Sequence, residues 1–213
     1  MAPTDGVRAF LQRIAPATSG RLSDAGFLLA GATAGALGWG GTQLVAWSAV
    51  PLAPVVATAW WVVLIAGFGL LTVFHGPASV RFSDAMFVWG SANGTAMLAT
   101  VAGVASVLPP RLAFWHAWAV AFGVGYLGTG TLLFRAGFRE RGVGYLSSAL
   151  VAWSVVLVGV RSFATVEPVA FVLLGVLHVV PLVVDATVEW SGESRAIPVI
   201  GAVAVVLVVG MVS

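Results

Sequence analysis

The amino-acid sequence predicts an all-α integral membrane protein, built as a bundle of seven transmembrane helices. Of its 213 residues, 60% are hydrophobic and only 8% are charged. A soluble domain carries about 25% charged residues, so this chain has too few to cover a surface that faces water. Seven apolar runs follow one another along the chain, each close to the ~20 residues that a helix needs to cross the hydrocarbon core.

Prolines and glycines separate the apolar runs. Pro51 and Pro54 divide the first run from the second, and Pro109 and Pro110 follow the third, as is typical of residues that interrupt helices. We therefore predict a single seven-helix transmembrane domain over residues 25–213. Its predicted helices 1 to 7 cover residues 26–49, 54–75, 85–108, 112–134, 142–160, 166–188 and 196–212.

Residues 1–24 are predicted to form a cytoplasmic N-terminal arm. Its apolar residues recur at helical spacing beside Arg8 and Arg13, which suggests a short amphipathic helix on the membrane surface. A disordered tail is the alternative. The apolar residues are Val7, Phe10, Leu11 and Ile14.

The distribution of arginines predicts the orientation. With the N-terminus in the cytoplasm, the outer segments hold only Arg111 and Arg161, and the positive-inside rule favours this arrangement, with the C-terminus outside. We expect a multi-pass protein of the cell membrane whose partner is the lipid bilayer and not nucleic acid. The inner arginines are Arg8, Arg13, Arg21, Arg81, Arg135, Arg139, Arg141 and Arg195. The tryptophans expected in an outer aromatic belt are Trp47, Trp60, Trp61, Trp115 and Trp118.

Glycines indicate where helices pack. Gly31, Gly35 and Gly38 form a smooth face on helix 1, and Gly90 with Gly94 does the same on helix 3. Small residues at such spacing let helix backbones approach closely in lipid. We expect helices 1 and 3 to be inner elements of the bundle. The same glycine faces are also suited to join copies of the chain in a homo-oligomer.

One stripe of ionisable residues lies along predicted helix 6. His178, Asp185 and Glu189 share one face of that helix, and Pro181 removes a backbone hydrogen bond between them. Ionisable groups within a membrane indicate function by default, so this stripe is a candidate proton relay or cation path. The alternative is a buried, hydrogen-bonded histidine with two acids at headgroup level.

A second group of polar residues surrounds the turn between helices 2 and 3. His75 closes helix 2 and Asp84 opens helix 3, where it is also suited to be the N-terminal cap or an acidic residue of the first turn. This outline resembles the membrane hydrolase superfamily of hemolysin III proteins, adiponectin-type receptors and alkaline ceramidases. The resemblance covers His75 and Asp84 and implies a zinc ion on the cytoplasmic side. Asp185 is predicted at the same level, so His75, Asp84 and Asp185 together are the candidate zinc ligands here. The family's histidine pair in helix 7 is absent, so no membership is assigned and no cofactor is predicted.

The segments Arg81-Phe-Ser-Asp84 and Asp185-Ala-Thr-Val-Glu189 resemble the retinal-pocket segments of microbial rhodopsins. In that family a lysine four residues after the second aspartate forms the Schiff base. Glu189 stands at that place, and the chain has no lysine. A retinal Schiff base is therefore excluded.

Three functions are compatible with these residues. The sequence favours a small-solute or ion transporter or channel-like protein that uses polar residues in the cytoplasmic half of helices 2, 3 and 6. A metal-dependent intramembrane hydrolase is the first alternative, and a non-catalytic sensor or assembly subunit is the second. Whether the chain is an enzyme stays open, with the balance against it.

Overall fold

The computed structural model describes residues 22–48, 52–81 and 83–191, without the side chains of residues 78, 81, 165 and 188–191. Most of these residues are helical, and there is no strand among them. The long helices are α1 (Asp24–Trp47), α2 (Ala53–His75), α3 (Asp84–Val104), α4 (Ala117–Arg135), α5 (Arg139–Val166) and α6 (Ala170–Ser191). Short helical turns cover Ala78–Arg81, Leu112–His116 and Glu167–Val169.

The six long helices correspond in order to predicted helices 1 to 6, with ends that differ by a few residues. Predicted helix 7 and nearly all of the N-terminal arm lie outside the described residues. Serines begin two of the helices, since Ser23 Oγ accepts from Gly26 N at 3.0 Å and Ser83 Oγ accepts from Met86 N at 3.3 Å. Asp84 therefore lies in the first turn of α3, and Ser83 is its cap.

Four segments of the described chain are long and apolar enough to cross a membrane, where the sequence predicts six spans over the same residues. Helices α1 and α3 are not among them. Both are rich in glycine and small polar residues, which lower their mean hydropathy. The four segments are Ala53–His75, Leu112–Arg135, Arg139–Ala164 and Glu167–Thr187.

The helices follow one another around a ring that α6 closes by packing along α1. Short connections make neighbouring helices antiparallel. The ends at Asp24, His75, Asp84, Arg135, Arg139 and Ser191 consequently lie on one side of the bundle, which we call the Asp24 end.

The glycine face of α1 is buried against two helices. An ideal Cβ at Gly35 would lie 2.8 Å from the His178 ring, and one at Gly38 would lie 2.5 Å from Trp61. An ideal Cβ at Gly31 would lie 3.3 Å from the Phe68 ring and 3.4 Å from Leu182. These glycines let α2 and α6 approach α1, as the sequence predicts for an inner helix.

Helix α3 differs from the expectation that it is an inner element. Gly90 and Gly94 are exposed, and no described atom lies within 4 Å of a Cβ built on either. The reason is that α3 contributes the bulky partner to its contact with α4. Val88 packs 2.6 Å from an ideal Cβ at Gly128, and Trp89 packs 2.7 Å from one at Gly125.

Three of the five tryptophans expected in an outer belt lie in the core instead, whereas Trp47 and Trp60 are exposed. Trp61, Trp115 and Trp118 are buried, and so is Trp39. Indole rings stack over glycines of adjacent helices, as Trp115 does at Gly159 and Trp153 at Gly123. A glycine opposite an indole leaves room for the large ring inside the bundle. Hydropathy does not reveal this pairing between helices, so it predicts an interfacial position for tryptophans that are buried.

Candidate functional site

The centre of the candidate site is a buried carboxylate on α6 that α5 holds in place. Arg141 donates to Asp185 through Nε at 2.7 Å to Oδ1 and through Nη2 at 3.0 Å to Oδ2. The Tyr145 hydroxyl donates to Asp185 Oδ2 at 2.7 Å. Arg141 and Tyr145 are four residues apart on α5 and therefore share one face of that helix.

Burial makes this ion pair costly to break. The side chain of Asp185 is 7% exposed and that of Arg141 is 25% exposed. Bidentate geometry and charge assistance make such hydrogen bonds shorter and stronger than neutral ones. In apolar surroundings, the carboxylate depends on its three donors for the stabilisation that water would otherwise give.

A second tyrosine extends the polar groups toward the middle of α6. The rings of Tyr126 and Tyr145 are 5.9 Å apart. The Tyr126 hydroxyl donates to the Leu177 carbonyl and lies 3.5 Å from the carbonyl of His178. Pro181 explains this contact, because it has no N–H to donate to the carbonyl four residues before it. Tyr126 thus supplies the hydrogen bond that the proline removes from α6.

His178 lies in an aromatic layer above the carboxylate cluster. Its Nδ1 accepts from Trp39 Nε1 at 3.3 Å, and its ring meets Phe122 edge-on at 5.2 Å. Nδ1 is then the acceptor nitrogen of a neutral imidazole. Trp39 also contacts Trp61 and Trp118, with ring centroids 4.4 and 5.3 Å away.

The structure therefore divides the predicted stripe on α6. His178 bonds to α1 through Trp39, whereas Asp185 bonds to α5 through Arg141 and Tyr145. Tyr126 and the α6 backbone between them connect the two levels. Glu189 is on α6, one turn beyond Asp185, and its side chain lies outside the described residues.

The predicted zinc ligands are not brought together. Among the residues that the structure describes, no three histidine, aspartate or glutamate side chains form a group that could hold a metal ion. Both oxygens of Asp185 already accept from Arg141 or Tyr145. His75 ends α2, where its carbonyl accepts from Leu22 N at 3.1 Å. Asp84 opens α3 and is exposed. His75 and Asp84 therefore lie at the same end of the bundle without forming a metal site together with Asp185.

Sequence reasoning missed three members of the cluster. It treated Arg141 as an inner-loop charge, and it assigned no role to Tyr126 or Tyr145. One signal was present, since Arg141 and Tyr145 stand four residues apart at the start of a membrane run. The contact of Tyr126 with α6 has no such signal, because it depends on how α4 and α6 meet.

Gln43 has a structural role at the opposite end of α6. Its Oε1 accepts from Phe171 N at 3.1 Å and from Val172 N at 3.3 Å, and its Nε2 donates to the Pro168 carbonyl at 3.2 Å. A side chain of α1 thus satisfies backbone groups at the beginning of α6. Gln43 therefore has its polar groups satisfied by interhelical hydrogen bonds, and the carboxylate cluster remains the candidate site.

The cluster thus holds one buried carboxylate with a guanidinium and a phenol hydroxyl inside an apolar bundle. Comparison with protein-family models, with curated proteins and with solved structures finds no match for this chain.

Proposed function

We propose that this chain is a small-solute or ion transporter of the cell membrane, with the Arg141–Tyr145–Asp185 cluster as its transport site. The observation that carries the proposal is the buried, bidentate pair between Asp185 and Arg141. Charged groups among membrane helices are costly and mark ion or substrate paths by default.

The proposed path differs from the one expected from sequence. Of predicted helices 2, 3 and 6, only helix 6 contributes to the described cluster. Helix α5 supplies the other members, and Tyr126 of α4 lies beside them. The path runs from Arg141 and Asp185 past Tyr145 and Tyr126 toward His178. Glu189, nearer the Asp24 end of α6, is proposed as its mouth.

The proposal includes seven spans, with the N-terminus in the cytoplasm and the C-terminus outside. Arginines at the two ends of the described helices support this orientation. Arg111 and Arg161 belong to the end opposite Asp24, and the positive-inside rule favours the arginine-rich end as the cytoplasmic one. The Asp24 end holds Arg81, Arg135, Arg139 and Arg141.

A non-catalytic assembly subunit is the second candidate. It is favoured by the outward face of α3, where Gly90 and Gly94 have open space beside them. Asn93 lies on the same helix, and its Oδ1 is buried without a hydrogen-bond partner among the described residues. A second membrane protein or a second copy of this chain could fill that face.

Solute entry into reconstituted vesicles tests the transporter proposal. Stopped-flow light scattering would follow osmotic swelling in sugars, amino acids, inorganic salts and salts of carboxylic acids. We expect at least one class to enter faster than into protein-free vesicles, and Asp185→Asn to lower that rate about tenfold, the loss expected for one charge-assisted contact.

Glu167→Gln is the matched control, because Glu167 is exposed at the opposite end of the bundle. This variant should retain the wild-type rate. If no solute class distinguishes the protein from empty vesicles, the transporter proposal fails and the assembly subunit becomes the better reading. Size-exclusion chromatography and circular dichroism of each variant would establish that it is folded.

A further inference from the structure

We infer that the turn between α4 and α5, residues 135–139, binds the headgroup of an anionic phospholipid. The inference is independent of the proposed transport. Its basis is a pair of exposed arginines that flank an exposed phenylalanine where the two helices meet. Arg135 closes α4 and Arg139 opens α5, and Phe138 between them is 56% exposed.

The backbone of this turn has a defined geometry. Gly137 has a φ of 92°, in the left-handed region that favours glycine. The N–H of Phe138 donates to the Leu133 carbonyl at 3.0 Å, and that of Gly137 donates to the Phe134 carbonyl at 3.2 Å. Together these bonds form the Schellman motif that ends many helices. They hold both arginines at one end of the helix pair.

Helices α4 and α5 approach each other too closely near the turn to enclose a long side chain. An ideal Cβ on Gly130 would lie 2.9 Å from the Gly142 carbonyl oxygen, and one on Gly142 would lie 2.8 Å from the Phe134 amide nitrogen. Backbone therefore faces backbone between the two helices, and no guanidinium fits there. In agreement, every residue from 134 to 140 is exposed.

The two arginines of the turn carry charge that the described part of the bundle does not neutralise. Among the residues that the structure describes, Arg135 and Arg139 form no ion pair. Arg141 differs from them, because it pairs with Asp185. Glu140 is the nearest acid in the sequence and is itself exposed, so the turn keeps a net positive charge.

An anionic phospholipid matches the turn in charge and in position. The segments Leu112–Arg135 and Arg139–Ala164 are long and apolar enough to cross a membrane, so the turn that joins them lies at the level of the headgroups. Guanidinium groups bind phosphate oxygens through paired N–H donors. Apolar rings beside basic side chains are typical of segments at the boundary between headgroups and acyl chains. The lipid phosphate thus meets the arginines, and Phe138 contacts the acyl chains.

A soluble phosphate or a nucleic acid fits the turn less well. Either would pair with the arginines and leave the Phe138 ring in water, where its apolar surface gains nothing. Nucleic acids also require several basic contacts for useful affinity, and the turn offers two. The combination of two charges and one aromatic ring therefore favours a lipid.

Native mass spectrometry of the detergent-solubilised protein tests the inference. Phosphatidylglycerol and phosphatidylcholine with the same acyl chains would be titrated separately, and the affinity for the first bound lipid compared. We expect phosphatidylglycerol to bind about tenfold more tightly, from the attraction of the two arginines. This preference should shrink as the ammonium acetate concentration rises, because salt screens exposed charges. Equal affinities for the two lipids would overturn the inference.

Four variants locate the binding. Arg135→Gln and Arg139→Gln should each lower the affinity for phosphatidylglycerol about fivefold, and together about thirtyfold. Glu140→Gln removes the repelling charge and should raise it. Arg161→Gln is the matched control, because Arg161 is an exposed arginine at the opposite end of the bundle. An equal loss in Arg161→Gln would show that affinity follows net charge, and would overturn the assignment to this turn.

Two measurements distinguish a lipid from a soluble phosphate ester. Glycerol phosphate at millimolar concentration should not displace phosphatidylglycerol. Phe138→Ala should lower the affinity for phosphatidylglycerol about fivefold, because the lipid loses contact with an aromatic ring. Displacement by glycerol phosphate, or unchanged affinity in Phe138→Ala, would overturn the lipid assignment. None of these measurements involves transport, so failure of the transporter proposal would leave this inference standing.

Discussion

At the scale of single residues, the buried pair of Arg141 and Asp185 is the feature on which the proposed transport depends. The pair is buried, so its contribution to stability is the balance between mutual attraction and lost hydration. Removing one partner takes these charge-assisted hydrogen bonds away from the other, buried group. Replacing both with apolar side chains removes the cost and the attraction together. Stability and function should therefore respond differently to single and double substitutions.

Asp185→Ala should destabilise the protein by about 3 kcal/mol or more, because Arg141 is then left without its carboxylate. The double variant Arg141→Met with Asp185→Leu should recover most of that loss while it loses transport. Unfolding in detergent, followed by circular dichroism, measures both values. Equal destabilisation of the single and double variants would show that the pair does not carry the effect.

Glycines of α1 and α3 provide a matched pair of substitutions. Gly35→Ala should cost about 1–3 kcal/mol, because the new methyl group overpacks against the His178 ring. Gly94→Ala has open space and should be neutral, or stabilising by up to about 1 kcal/mol through its helix propensity. Thermal unfolding in detergent compares them. If Gly94→Ala instead dissociates an oligomer during size-exclusion chromatography, the α3 face lies between chains.

At the scale of elements, α6 is the helix on which the other elements converge. Gln43 of α1 hydrogen-bonds the first turn of α6. The Tyr126 hydroxyl of α4 donates to the Leu177 carbonyl of α6, which Pro181 leaves without its usual backbone donor. Asp185 near its other end is held by α5. A helix with an internal proline keeps its backbone satisfied here because neighbouring helices provide the missing groups.

The link between Tyr126 and Pro181 can be measured with a double-mutant cycle. Tyr126→Phe alone should cost about 1–3 kcal/mol, because the buried Leu177 carbonyl then lacks a donor. In a Pro181→Ala background the new backbone N–H supplies that donor, so the same change should cost about 0.5 kcal/mol or less. Free energies of unfolding for the four proteins give the coupling. Additive losses would mean that Tyr126 acts independently of the proline.

The cap that α1 provides for α6 leads to a further prediction. Gln43→Leu should destabilise the protein by about 2 kcal/mol, because backbone groups at the start of α6 lose a buried partner. Leu44→Met, on the exposed side of the same helix turn, is the control and should be near neutral. Hydrogen exchange at Phe171 and Val172 should accelerate in Gln43→Leu alone. Unchanged exchange there would argue against the cap.

At the scale of the whole molecule, the chain offers a direct test of its membrane arrangement. It contains no cysteine, so a single introduced cysteine is the only site for a thiol reagent. Ser48 and Ala136 are exposed and lie at opposite ends of the bundle. The proposed orientation places Ser48 outside and Ala136 in the cytoplasm.

A membrane-impermeant maleimide applied to intact cells should label Ser48→Cys and leave Ala136→Cys unlabelled until the cells are permeabilised. The arginine distribution is the physical reason. Ser213→Cys should be labelled from outside if the chain crosses the membrane seven times. If Ser213→Cys is labelled on the same side as Ala136→Cys, the number of spans is even and not seven. If Ala136→Cys is labelled from outside and Ser48→Cys is not, the orientation is the reverse of the proposed one.

The class of the protein and the order of its helices follow from the sequence alone. Hydropathy and helix-breaking residues act locally, so apolar runs and prolines were sufficient to locate six helices within a few residues. The same local signals made Asp185 and His178 candidates, because ionisable groups are conspicuous in apolar runs. They also identified Gly35 as a packing position, since its spacing from other glycines is a property of one helix.

Tertiary structure alone decided which of these residues act together. The partners of Asp185 come from α5, that of His178 from α1, and that of the Leu177 carbonyl from α4. It also turned α3 so that Trp89 faces inward and Gly90 and Gly94 face outward, against the expectation from spacing. The physical reason is that contacts between helices depend on how each helix rotates about its axis. That rotation is set by the volumes of all facing side chains together, and no single run of sequence contains them.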